Sequence, residues 1–120
     1  MTKAFIRWLV VMVWAGGIFV LSGVPSLESG FSLTWDVIAR KLAHAAVFGV
    51  LAFLVLWALR KRSPQTFFLA GALSILYAAS DELHQTFVLG RQGTLWDVVI
   101  DGFGIAVVLL LWWRFRMSQK

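Results

Sequence analysis

Four apolar stretches, each about as long as a bilayer core is thick, constrain this chain more than any other feature. They run over Ala4–Leu21, Leu42–Leu59, Thr66–Leu83 and Val98–Trp113. A helix of about 18 residues rises about 27 Å, close to the thickness of the hydrocarbon layer. Backbone in hydrocarbon must satisfy its own hydrogen bonds, so runs of this length predict helices. With the polar residues that flank them, the predicted helices cover residues 4–21, 37–59, 66–84 and 95–113. The expected fold is all-α, a single 120-residue integral membrane bundle of four transmembrane helices.

Composition excludes the obvious alternatives. Only 14% of the residues are charged, against about 25% in ordinary soluble domains. No cysteine is present, which removes disulfide frameworks and thiolate metal sites. The net charge of +5 raises nucleic acid as a partner, but the basic residues lie in short clusters between apolar runs, not along one polar face. No nucleic-acid partner is expected; membrane lipids are.

The charges also orient the chain. Lys3 and Arg7 precede the first span, Arg60, Lys61 and Arg62 follow the second, and Arg114, Arg116 and Lys120 follow the fourth. No acid stands among them. The other side holds Arg40, Lys41, Arg91, both histidines and all six acids: Glu28, Asp36, Asp81, Glu82, Asp97 and Asp101. The positive-inside rule places both termini and the 60–65 loop in the cytoplasm. Trp8, Trp57, Trp112 and Trp113 then fall at inner ends and Trp35 and Trp96 at outer ends, as an aromatic belt requires. Trp14 fits neither belt and is expected in the bundle or against lipid. Lys3 and Arg7 ahead of an apolar run ending in Ser22-Gly23 also fit a signal peptide. The run is long for one and no Ala-x-Ala site follows, so it is read as a span.

Small residues four apart (Ala45/Gly49, Ala70/Ser74/Ala78, Gly102/Ala106) are expected to let the helices approach closely. Loop 22–36 is rich in Ser, Gly and Pro, and loop 88–94 holds Gly90 and Gly93. A short echo, Trp35-Asp36-Val37-Ile38 and Trp96-Asp97-Val98-Val99, opens both helices that run from outside to inside.

The ionisable residues of the outer side converge on helix ends. Arg40, Lys41 and His44 open the second helix, and spacings of three and four put them on one side of it. Asp81, His84 and Gln85 share a side at the close of the third, with Glu82 about 100° away. Asp97 and Asp101 are four apart on the fourth. Cations at a helix start and anions at a helix end oppose the macrodipole, an arrangement that makes sense if the second and third helices lie side by side and their charges pair. Asp101 lies a full turn inside the span, where an ionised carboxylate is costly unless paired or protonated. Asp97 nearby favours one proton shared across the two.

Several chemistries fit this set. A general acid/base or phosphate-handling site uses His44 and His84, with Asp81 as orienting acid and Lys41 and Arg91 holding an anion. His44, Asp81, His84 and Asp97 are metal-ligand types but lack the spacing of a known metal motif, so no metal ligand is assigned and no cofactor is expected. Ser74 and Ser80 lack a nucleophile elbow. Transport wants ionisable groups through the membrane's depth, and the first two helices carry none at mid-span. Plainer roles compete: Asp97 as a helix cap in the box Thr94-Leu95-Trp96-Asp97, Arg40 and Lys41 snorkelling to phosphates, or a purely structural ion-pair cluster.

The run Lys41-Leu42-Ala43-His44 with Phe48 one turn on, then Ser80-Asp81-Glu82-Leu83-His84-Gln85-Thr86-Phe87, Gly90-Arg91 and Asp97-Val98-Val99-Ile100 with Gly104, resembles the signatures of VanZ-like membrane proteins. The match in order and spacing covers about residues 41–104. Lys41, His44, Asp81, Glu82, His84, Gln85, Arg91 and Asp97 match motif positions; Arg40 and Asp101 do not. The chain departs from the pattern at Leu89, where Pro is usual, and at Asp101, where Asn is usual. The resemblance implies a multi-pass protein of the bacterial cytoplasmic membrane, in a family named for a member linked to teicoplanin resistance. It implies no particular reaction, and enzymatic activity is left open. The expected function is a VanZ-like envelope protein whose outer-face site binds or processes an anionic, lipid-linked component such as a polyprenyl phosphate. In that reading Lys41, Arg91 and Gln85 bind it, while His44, Asp81, His84, Glu82 and Asp97 move a proton or hold the geometry. The alternative is a non-catalytic protein that acts through protein partners. The first helix is expected to take the least part in the site.

Overall fold

The computed structural model describes residues 2–23, 33–61, 63–88 and 95–118, with backbone alone at 33, 34, 36, 37, 117 and 118. Glu28 and Arg91, the cap residue Thr94 and the side chain of Asp36 lie outside what is described. The chain forms four helices, α1 (Lys3–Ser22), α2 (Leu33–Leu59), α3 (Pro64–Gln85) and α4 (Leu95–Ser118), and no strand occurs among the described residues.

Local chemistry sets the helix ends. Thr2 caps α1, its hydroxyl accepting from the Phe5 amide at 3.2 Å. α2 stops at Leu59 because Arg60 turns into the left-handed region at φ 68°, where only glycine is free of strain. Ser63 then caps α3, accepting from the Thr66 amide at 3.3 Å, and Pro64 occupies the first turn, where its missing N–H goes unneeded. α2 begins four residues earlier than the apolar pattern predicts. Arg40 and Lys41 therefore sit about two turns inside it, beyond the reach of the helix-end dipole, and the expected opposition to the α2 macrodipole does not arise. Asp81 and Glu82 do fall in the last turns of α3.

The helices alternate in direction. The Arg7 guanidinium donates to the Trp57 carbonyl at 3.2 Å and lies 5.2 Å over its ring, joining the start of α1 to the end of α2. Phe67 meets Trp113 edge-on at 4.9 Å, joining the start of α3 to the end of α4. Among the described residues, the polar side chains predicted for the outer side thus gather at one end of the bundle.

α2 is the central helix. Phe48, Leu51, Ala52, Val55, Leu56 and Ala58 all belong to the buried core, joined by Val11, Ile18, Ala70, Ala78 and Ile105. Its most extensive contact is with α4, which runs parallel to it. Between apolar helices in lipid no hydrophobic force drives association, so close backbone approach must do so. At the α2–α4 seam a Cβ built on Gly104 would lie 2.2 Å from the Ala45 carbonyl oxygen, and one on Gly49 would lie 2.8 Å from Val108 Cγ2. Ala45 and Gly49 meet Gly104 and Val108, not the Gly102/Ala106 pair that the four-residue spacing suggests. Gly102 has open space around its Cβ direction and Ala106 is exposed. The Ala70/Ser74/Ala78 row on α3 is buried as predicted. Trp14 is half-buried, its indole N–H donating to the Val47 carbonyl at 3.0 Å, and the Tyr77 hydroxyl donates to the Ala15 carbonyl. Both bonds tie α1 to the bundle.

Among the described residues, three helices are long and apolar enough to cross a membrane: α1, residues 38–59 of α2, and residues 95–116 of α4. α3 has the length but not the apolarity, because its final turns carry Asp81, Glu82, His84 and Gln85.

Candidate functional site

The α2–α4 seam that closes on glycine becomes a ladder of charges toward the polar end. Residues 45 and 104 touch backbone to backbone. One turn up, His44 Nδ1 stands 3.3 Å from Asp101 Oδ1; above it, Lys41 Nζ pairs with Asp97 Oδ1 at 2.5 Å. Spacings of three on α2 and four on α4 keep both rungs in register along parallel helices. Each α4 carboxylate thus has its own α2 partner, where the sequence suggested one proton shared between Asp97 and Asp101.

α3 closes the third side. Asp81, Glu82 and Gln85 are all buried. The Gln85 amide nitrogen lies 3.2 Å from His44 Nε2, 3.4 Å from Asp81 Oδ2 and 3.3 Å from Ser22 Oγ. A neutral His44 with its proton on Nδ1 meets both neighbours: Nδ1–H donates to Asp101 and Nε2 accepts from Gln85. Glu82 is part of the cluster, contrary to its position on a helical wheel. One donor atom from each of His44, Glu82 and Asp101 lies within 4.8 Å of the others. The wheel gives an angle only, and the last turns of α3 are enclosed on more than one side.

α1 completes the site, which corrects the expectation that it stands apart. Ser22, its last residue, is buried against Gln85 and hydrogen-bonds the Asp81 carboxylate. Phe19 stacks on the His84 ring at 4.2 Å and an interplanar angle of 9°. His84 therefore packs on α1, where its Nδ1 is buried without a hydrogen-bond partner among the described residues. Beneath the cluster Phe48 is fully buried, its ring 5.7 Å from His44 and 6.1 Å from Tyr77, and forms an apolar floor.

Of the residues singled out in the sequence, Lys41, His44, Asp81, Glu82, Gln85 and Asp97 are brought together, with His84 at the α1 edge. Asp101 and Ser22 are the additions. Asp101 carried a signal in its depth and in its four-residue spacing from Asp97. Ser22 carried none, since Ser-Gly at the end of an apolar run reads as a loop. The apolar groove lined by Phe67, Phe68, Leu109, Leu110 and Trp113 lies at the opposite end of α3 and α4 and takes no part.

Comparison with known families places the chain. The VanZ/LLP1 family profile matches residues 5–116. The chain belongs to the VanZ/LLP1 family. Nearly the whole chain falls within the match, so the VanZ resemblance of the Lys-x-x-His and Asp-Glu-x-His-Gln blocks extends to all four helices. Family membership and three membrane-length apolar helices point to a VanZ-like membrane protein. No curated protein and no solved structure matches it.

Chemically, the cluster is buried and acid-rich, with a basic rim. Asp81 and Asp101 each leave one oxygen, Oδ1 and Oδ2 respectively, without a hydrogen-bond donor among the described residues. Lys41 remains 40% exposed on its side chain while held by Asp97. Such a site can hold or move a proton, take up a cation in its depth, or present an ammonium to an anion at its mouth.

Proposed function

We propose that this VanZ-family chain is a four-span envelope protein whose polar cluster opens to the outer leaflet and engages an anionic, lipid-linked component, with polyprenyl phosphates as the leading class. The observation that carries this reading is Lys41. Its ammonium sits at the rim, fixed on one side by Asp97 and still exposed, which leaves two of its three N–H donors for a ligand oxygen. Arg91, between α3 and α4 in the sequence, supplies the second cation in this reading. His44, Asp81, Glu82 and His84 then hold the geometry or move a proton behind the bound anion.

α3 serves as the fourth span in this proposal. Its 22 residues rise about 33 Å, enough for a core of about 30 Å. Phe68, Leu76 and Leu83 present a strongly exposed apolar face suited to lipid, and its charged turns are enclosed by the other helices. With four spans, the basic flanks put both termini in the cytoplasm and the cluster outside, within reach of envelope precursors. A role in glycopeptide resistance belongs to the same reading and is tested by teicoplanin susceptibility of a strain lacking the protein.

A second reading draws on the ladder itself. Lys41 and His44 already have partners inside the protein, as in a cluster that serves packing while the protein acts through protein partners. Native mass spectrometry separates the two, with purified protein offered a panel of envelope lipids that includes polyprenyl phosphates. The first reading expects selective retention of the phosphate lipid, lost in Lys41→Ala and in Arg91→Ala. No selectivity, or binding untouched by either substitution, overturns it in favour of the second.

A further inference from the structure

The geometry points to a divalent transition-metal site formed by His44, Glu82 and Asp101. Three helices each deliver one donor: an imidazole nitrogen from α2 and a carboxylate oxygen from each of α3 and α4, all within 4.8 Å of one another. Donors bound at about 2.0–2.2 Å from a zinc-like cation stand roughly 2.8–3.6 Å apart at right or tetrahedral angles. His44 Nδ1 and Asp101 Oδ1 already have that spacing, at 3.3 Å. The same contact is long for a charge-assisted hydrogen bond, which settles at about 2.7–2.9 Å. Bringing in the third donor takes a side-chain shift of roughly 1 Å, set by the same coordination distances.

Unpartnered oxygens supply an independent observation. Asp101 is completely buried, yet its Oδ2 has no hydrogen-bond donor among the described residues. Asp81, 3% exposed, leaves its Oδ1 in the same condition. A buried carboxylate oxygen without a donor carries its full desolvation cost, and a bound cation is the partner that removes it. The donor types choose among cations. An imidazole with carboxylates and no thiolate suits Zn²⁺, Mn²⁺ or Fe²⁺ better than Mg²⁺ or Ca²⁺, which prefer oxygen alone. A metal on Nδ1 leaves the proton on Nε2, so Gln85, whose amide nitrogen lies 3.2 Å from Nε2, turns its amide to present Oε1 as the acceptor, the outer-shell role that metal-binding histidines commonly require. Asp81, whose Oδ2 lies 3.4 Å from the same Gln85 nitrogen, is a candidate source of a fourth oxygen.

This inference does not depend on the lipid reading, and its test uses no lipid. Tag-free, full-length protein in detergent is stripped with chelator and titrated with Zn²⁺ by calorimetry. Wild type is compared with Asp101→Asn, Glu82→Gln and, at the opposite end of the bundle, Arg116→Gln. One Zn²⁺ per chain is expected, at least tenfold weaker in both carboxylate variants and unchanged in Arg116→Gln. Near-UV circular dichroism identifies any variant that has lost its fold, and the wild-type titration stands without the variants. Absence of stoichiometric binding by the folded wild type overturns the site. So does binding of the same strength in folded Asp101→Asn and Glu82→Gln.

Discussion

Substituting Gly104→Ala inserts one methyl group where, among the described glycines, a Cβ has the least room. The new carbon would lie 2.2 Å from the Ala45 oxygen, 2.8 Å from its carbonyl carbon and 3.0 Å from its Cα. Carbon contacts are comfortable at about 3.5–4.0 Å, so α2 and α4 must part by roughly 1 Å. Backbone cannot rotate aside as a side chain can, which puts the cost at the upper end of overpacking, about 3 kcal/mol. Alanine also favours helix over glycine by about 1 kcal/mol, leaving a net loss of about 2 kcal/mol. Gly102→Ala is the matched control: it receives the same propensity gain two residues away, with nothing within 4 Å of its Cβ. The difference between the variants isolates the steric term, about 3 kcal/mol. Reversible unfolding in mixed micelles, followed by helical circular dichroism, measures both. The same separation lifts His44 from Asp101, already 3.3 Å apart, so any binding activity of the cluster is expected to fall in Gly104→Ala only. Equal stability of the two variants would refute the reasoning, because it would mean that Ala45 and Gly104 do not touch.

Other substitutions probe the remaining joints. Tyr77→Phe and Trp14→Phe each remove one hydrogen bond that fastens α1; each is expected to lower stability by about 1 kcal/mol, read from the same unfolding curves. Gln85→Leu deletes the amide that stands between Ser22, His44 and Asp81. With polar partners left buried and unsatisfied, it is expected to cost about 1–3 kcal/mol, and a loss within error of zero would show that these contacts are not formed. A double-mutant cycle on Lys41→Met and Asp97→Asn is expected to give a coupling under about 1 kcal/mol, since the pair is partly exposed. A coupling several times larger would place the pair out of solvent and away from a ligand.

The number of helices, their approximate limits and the gathering of acids and histidines at one end were legible in the sequence, because apolar run length and charge position depend on the chain alone. The partners of each charge were not. Lys41 meets Asp97 and His44 meets Asp101 because α2 and α4 lie parallel in a register set by the Ala45–Gly104 contact, and no spacing within a single helix encodes that register. A four-residue stripe such as Gly102/Ala106 marks a smooth face without saying which face is used, and the close contact falls on Gly104. Glu82 stands about 100° from Asp81 on a helical wheel, yet it joins the cluster because the last turns of α3 are enclosed on more than one side. Ser22 passed as the start of a loop, although it ends α1 beneath Gln85.

The proposed function requires the polar cluster to face outward, and single cysteines test that orientation most directly in a chain that has none of its own. Phe87, strongly exposed just past the end of α3, marks the cluster's side; Gln65, exposed in the first turn of α3, marks the other. A membrane-impermeant maleimide applied to intact cells is expected to label Phe87→Cys at once and Gln65→Cys only after permeabilisation. The reverse pattern would place the cluster in the cytoplasm, and equal labelling of both from outside would mean that α3 does not cross the membrane.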